Sequence, residues 1–245
     1  VPEHTYNRAV GRTRETYPEA KVWTAKRRIA RFLEEHPRSF LAFSGGKDSI
    51  VVGHIMGKLG HTDAMSETSF NFERQIGDFK RSSDQLGLDT EWRVSLSWEW
   101  LERNQHFILP DRSLIQPWNA ARQQRTVRVH AKERGYEGII YGRRTEENTV
   151  PDVTYQTKEG LWHHHPLKEW TTGEVWAYIQ RHGLHFPDLY NHRIGQSQGN
   201  CPYVPLPPAE LHDPFGAIHD YDPTVVPRFA EFHEPAQRWL KERGL

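Results

Sequence analysis

Apolar positions recur at helical spacing over Glu19–Glu35. Val22, Ile29, Phe32 and Leu33 share one face, Lys26, Arg27, Arg28 and Arg31 fill the gaps as a solvated basic face, and Pro37 stops the helix. Ser39–Phe43 is a short apolar run with the character of a buried strand, followed at once by a glycine-bearing loop, Ser44–Ser49. Ile50–Leu59 then has the length and pattern of a buried helix. A strand at Thr62–Met65, a helix over Phe72–Leu86 and a strand at Asp89–Val94 follow. Leu96–Leu109 is aromatic-rich without a clear period. A helix over Ala120–Arg134 and a strand at Tyr136–Tyr141 complete the alternation. Strands alternating with helices predict an α/β fold, a parallel doubly wound sheet with helices on both faces.

The last third reads differently. Thr171 and Glu174 have the spacing of a capping box, Val175, Trp176, Tyr178 and Ile179 give the next helix an apolar face, and Gly183 ends it. Residues 187–227 are rich in Pro, Gly, Asn and His and lack periodicity, as expected of a wrap on the core or a lid carrying His192, Arg193, Gly195 and Gly199. A helix over Arg228–Arg243 follows. This divides the chain into a helical segment (1–37), a nucleotide-binding α/β domain (38–186) and a loop-rich C-terminal extension with a terminal helix (187–245).

Composition narrows the class. Of 245 residues, 36% are hydrophobic and 26% charged, which excludes a disordered chain, and no apolar run approaches the length of a membrane span. Lys plus Arg and Asp plus Glu number 32 each, so net charge does not indicate a nucleic-acid partner, although a local basic patch stays open. The single cysteine, Cys201, allows neither an internal disulfide nor a four-thiolate metal site. With no apolar signal core at Val1–His4, a cytoplasmic setting is expected.

The chemistry concentrates at Ser44-Gly45-Gly46-Lys47-Asp48-Ser49, between a strand and a helix. Two glycines let the backbone turn its N–H groups inward, and the helix start adds unpaired donors and partial positive charge. Lys47 suits phosphate neutralisation, and the Ser44 and Ser49 hydroxyls suit phosphate oxygens. Asp48 would repel a phosphate alone, so its presence implies Mg²⁺ bridging carboxylate and phosphates. The glycine spacing is not that of a Walker A loop.

This string resembles the PP-loop of the adenine-nucleotide alpha-hydrolase superfamily. Gly142-Arg143-Arg144-Thr145-Glu146-Glu147-Asn148 resembles the Gly-x-Arg segment of its phosphoadenosine phosphosulfate (PAPS) reductase family. His165–Ile179 is similar to that family's P-L-x-x-W-T helix, and Gly183–Tyr190 to its exit. Glu67-Thr68 falls where the family often carries an acidic residue or Asn. The resemblance implies an ATP pyrophosphatase or adenylyltransferase that cleaves ATP between its alpha and beta phosphates to activate an acceptor. Lys47, Asp48 and Arg144 are the implied catalytic residues. The nucleotide would contact Ser44, Gly45, Gly46, Lys47, Asp48, Ser49, Gly142, Arg143 and Glu147. The implied cofactors are ATP and Mg²⁺, with Asp48 as metal ligand, and a protein partner or second subunit is expected. The alternatives are a sulfonucleotide reductase and a non-catalytic nucleotide-binding subunit of a sulfur-transfer or modification complex. Reductases of the family carry a tail cysteine that Trp239–Leu245 lacks, and other branches carry a cysteine cluster where this chain has only Cys201. Neither thiol-based reduction nor an iron–sulfur cluster therefore transfers by resemblance.

Three further features read as structural. His163-His164-His165 alternate faces on a strand and do not converge on one ion. Cys201 reads as a small loop or core residue, and Arg122, Arg125 and Arg128 as a solvated helix face.

Overall fold

The computed structural model describes residues 16–68, 73–94, 97–104, 127–147, 150–192 and 212–245. Helix α1 (Glu19–Glu35) precedes strand β1 (Ser39–Ala42), helix α2 (Lys47–Gly57), β2 (Asp63–Thr68), α3 (Glu73–Leu86) and β3 (Asp89–Val94). Then come α4 (Trp98–Asn104), α5 (Val127–Arg134), β4 (Gly138–Ile140), β5 (Thr154–Gln156), β6 (Trp162–His164) and α6 (Thr172–His182). A 3₁₀ turn at Asp188–Asn191 leads to α7 (Pro214–Tyr221), α8 (Val225–Ala230) and α9 (Glu234–Arg243).

The strands form one sheet in the order β3-β2-β1-β4-β6-β5. β1 runs parallel to β2 (Leu41 opposite Ala64) and to β4 (Phe40 opposite Ile139), and β4 runs parallel to β6. The edge pair β5/β6 is antiparallel. Alternation along β1 explains the covering on both faces. Phe40 packs with Met65, Ile139, Tyr141 and Ala131 of α5. Leu41 points the other way, against Gly53 of α2. Strand order reverses between β1 and β4. Open α/β sheets bind ligands in the crevice at the carboxyl ends of the strands at such a switch point.

The described chain forms two compact units. One comprises residues up to Glu67, Asp78–Arg93 and Thr126–Pro187 and holds the central strands. The other comprises Thr68–Gly77, Val94–Arg125 and Asp188–Leu245. The second has its own core, in which Leu101, Leu189, Phe215, Ile218, Val226 and Phe229 are buried together. No helix among the described residues is long and apolar enough to cross a membrane.

Several expectations are corrected. Helix α2 starts at Lys47, three residues before the apolar run, because extended Gly46 caps it and the Ser49 hydroxyl donates to the Gly46 carbonyl. The β5/β6 hairpin escapes a hydrophobicity reading because its inner strand is Trp-His-His, whose two histidines are each 2% exposed. The expected helix over 228–243 is two helices, since Pro235 fits the first turn of α9 and not a helix interior. The stretch read as loop contains α7, capped by the Asp213 carboxylate accepting from the Gly216 amide. The capping box on α6 is present with both bonds, and Gly183 closes that helix in the left-handed region at φ 59°. Cys201, Arg193, Gly195, Gly199, Arg122, Arg125 and Asn148 lie outside the described residues, as do residues 120–126 of the expected helix over Ala120–Arg134.

Candidate functional site

The loop after β1 and the loop after β4 meet at the switch point, and glycines set how closely. Gly45 adopts φ 67°, and a Cβ there would lie 2.0 Å from the Phe79 ring. A Cβ on Gly142 would lie 2.7 Å from the Asp48 carbonyl carbon and 2.8 Å from the Ser49 amide nitrogen. Two backbones therefore touch where only glycine fits. Within the first loop, the Ser44 hydroxyl accepts from the Gly46 amide and donates to the Ser49 hydroxyl, both at 3.3 Å. Asp48 lies in the first turn of α2, where the helix dipole favours a carboxylate.

Contact of the two loops assembles a compact ionic cluster. The Lys47 ammonium donates to Asp48 at 2.7 Å and to Glu147 at 2.8 Å. The Arg144 guanidinium donates to Asp48 at 2.6 Å, to Glu147 at 2.6 Å and to Glu146. Both cations are wholly buried, whereas the Glu146 side chain is half exposed. Burial disfavours the Arg144 charge, but the Asp48 and Glu147 carboxylates more than offset it and hold its pKa above the ordinary guanidinium value. Desolvation pushes the Glu146 carboxyl up, and hydrogen bonds from Arg144 and Thr172 outweigh it, leaving the group below its usual range. Two cations against three carboxylates leave the cluster with one net negative formal charge.

Of the residues singled out in sequence, Lys47, Asp48, Arg144 and Glu147 converge, with Ser44, Gly45, Gly46, Ser49 and Gly142 framing them. Arg143 does not join. It is exposed and lies over the Tyr141 ring at 5.1 Å. Two participants were not singled out as site residues. Glu146 Oε2 accepts from the Thr172 amide at 2.6 Å and hydroxyl at 2.9 Å as well as from Arg144. Thr172 Oγ1 in turn accepts from Arg144 at 3.1 Å. Glu146 stands in the Gly142–Asn148 string, and Thr172 in the Thr-Thr-Gly-Glu string, which reads as a helix cap and nothing more until the loop after β4 meets the start of α6.

The histidine triplet stays apart from this cluster. His164 stacks on Phe32, while His163 and His165 lie with Tyr141 and Tyr155. Burial lowers their pKa values to about 4, about 3 and about 4 for His163, His164 and His165. No group of three His, Cys, Asp or Glu among the described residues is arranged to hold a metal by itself.

The fold is an α/β fold of the adenine-nucleotide alpha-hydrolase type. Residues 38–203 match the phosphoadenosine phosphosulfate reductase domain model, and the chain belongs to that family. Among solved structures it is similar to PAPS reductase from Candida auris in a phosphate complex (TM-score 0.56, 16% identity, 69% of this chain and 84% of that one). It is also similar to NMN synthetase from Francisella tularensis (TM-score 0.56, 15% identity, 91% and 96%). At these identities the likeness is one of fold. Comparison with curated protein sequences gives no match.

Proposed function

We propose that this chain is an ATP pyrophosphatase or adenylyltransferase-type enzyme that cleaves ATP between its alpha and beta phosphates to activate an acceptor. The observation that carries the reading is the convergence of Lys47 and Asp48, within the segment Ser44–Ser49, with Glu147 from the loop after β4. In the reaction an acceptor oxygen forms a bond to the alpha phosphorus. The bond from that phosphorus to the bridging oxygen breaks, and pyrophosphate leaves with the electron pair. Water as acceptor gives AMP and pyrophosphate.

The loop amides and the first turn of α2 receive the departing pyrophosphate. Lys47 turns to phosphate oxygens as the nucleotide enters, and the Asp48 and Glu147 oxygens it leaves stay paired with Arg144 and would hold Mg²⁺. The donor set fits Mg²⁺: Asp48 and Glu147 already present oxygens to one shared cation, the Lys47 ammonium, and hard oxygen ligands suit that ion. When bound, Mg²⁺ would neutralise charge on the pyrophosphate, which a cluster of net negative charge does not do alone. No protein nucleophile is required, so catalysis rests on positioning and electrostatics. Of the remaining site residues, Ser44 and Ser49 would contact phosphate oxygens through their hydroxyls.

Product identification tests the reading. The protein is incubated with Mg²⁺ and ATP, with and without cell extract as a source of acceptor, and in parallel with PAPS and a thiol reductant. AMP or an adenylylated product together with pyrophosphate supports it. Sulfite from PAPS with no ATP cleavage replaces it with the reductase reading.

A further inference from the structure

The family resemblance implies that Arg144 is a catalytic residue, which would have it touch the nucleotide or the acceptor. A guanidinium has five N–H donors and no acceptor. Here all five are used: Nε donates to Asp48, Nη1 to Glu146 and to the Trp170 carbonyl, and Nη2 to Glu147 and Thr172. The group is wholly buried. To reach a phosphate it would have to give up one of these five bonds: those to Asp48, Glu147 and the Trp170 carbonyl serve largely buried acceptors, and those to Glu146 and Thr172 hold the group to the start of α6.

We infer that Arg144 is a positioning residue: it orients the Asp48 and Glu147 carboxylates toward one cation and is itself held by Thr172, Glu146 and the Trp170 carbonyl at the start of α6, rather than touching the nucleotide. The inference rests on the metal-assisted nucleotide reading above. Planarity matters here. The Nε and Nη2 edges of one rigid fork fix Asp48 and Glu147 at the same time, and a flexible lysine cannot reproduce both contacts. The Nη1 edge and the second Nη2 hydrogen hold the fork to α6. Glu146 Oε2 strengthens that hold, because it also accepts from the Thr172 amide and hydroxyl. This gives the Thr-Thr-Gly-Glu segment two functions. Thr171 caps α6 through the Glu174 amide, and Thr172, one residue on, fixes the guanidinium.

The test is calorimetric titration of a non-hydrolysable ATP analogue, in excess Mg²⁺ and separately in EDTA, into the wild-type chain and the variants Arg144→Lys, Thr172→Val and Thr172→Ser. Arg144→Lys and Thr172→Val should match wild type within about twofold in EDTA and lose affinity only in Mg²⁺, about tenfold for the first and about threefold for the second, as expected for loss of one or part of one charge-assisted contact. Thr172→Ser, which keeps the hydroxyl, should restore wild-type binding in both buffers. A merely structural defect would lower both affinities together. Loss of equal size in Mg²⁺ and EDTA for Arg144→Lys would overturn the inference, whether it arises from a lost nucleotide contact or from a structural defect. Unchanged Mg²⁺-dependent binding in both Arg144→Lys and Thr172→Val would overturn it too. Wild-type protein that binds in neither buffer defeats the nucleotide reading itself and the inference with it, an outcome visible before any variant is measured.

Discussion

Gly142 touches Asp48 backbone to backbone: a side chain at Gly142 would start 2.7 Å from the Asp48 carbonyl carbon. That contact lets a loop after β4 deliver Arg144 and Glu147 to a lysine and an aspartate on the first turn of α2. Gly142→Ala should therefore cost about 1–3 kcal/mol of stability, since backbone must move to admit the methyl group. It should also weaken nucleotide binding by separating the loops. Urea unfolding reads the first effect and nucleotide titration the second. Wild-type values in both would show that the two loops have slack.

Gly45 faces a different obstacle. Its φ of 67° opposes a side chain, and so does the Phe79 ring, 2.0 Å from where a Cβ would sit. Gly45→Ala should be strongly destabilised, and trimming Phe79 to Leu should recover only the steric part. The left-handed backbone cost, about 1–2 kcal/mol, should remain. Chemical denaturation of the single and double variants separates the two contributions.

Lys47→Ala removes an ammonium that donates to Asp48 and Glu147. Nucleotide affinity should fall about tenfold or more, as charge-assisted phosphate contacts contribute about 1.5–3 kcal/mol each. Equal affinity in a folded Lys47→Ala protein would remove this loop from the site.

Stability should decline in acid. The buried His163, His164 and His165 titrate near about 4, about 3 and about 4 when folded, below the ordinary histidine value of 6.5. Between those values and 6.5 the unfolded chain binds more protons. Their contribution is therefore complete above pH 6.5 and is lost as pH falls toward 4, each costing about 1–2 kcal/mol at pH 5. Melting temperatures from pH 7.5 to 4.5 should show this fall. His165, whose two ring nitrogens have no hydrogen-bond partner among the described residues, can be replaced by Phe with little loss at pH 7.5 and a shallower pH dependence. An unchanged slope in His165→Phe would assign the acid sensitivity elsewhere.

How legible the molecule was in its sequence depended on local signals. β3, α1 and the capping box on α6 came from periodicity and spacing within single segments. The start of α2 was hidden because Lys47, Asp48 and Ser49 carry no apolar pattern, yet they form its first turn. The histidine triplet was read on a strand, but β5 and its antiparallel pairing were hidden, because the buried positions of β6 are histidines and carry no apolar pattern. Lys47, Asp48 and Glu147 stood out as chemical types in recognisable strings. The saturation of Arg144 did not, because three of its five acceptors, on Trp170, Thr172 and Asp48, lie far from it in sequence, and only the starts of α2 and α6 meeting the loop after β4 bring them within reach.

The central claim is cleavage of ATP at the alpha phosphorus by this cluster. Its most direct test is ³¹P nuclear magnetic resonance of ATP and Mg²⁺ incubated with wild-type protein and with Asp48→Asn, which keeps size and removes the carboxylate. The account predicts AMP and pyrophosphate in equal amounts with the wild type and neither with Asp48→Asn. ADP and phosphate, or the same AMP yield from both proteins, would contradict it.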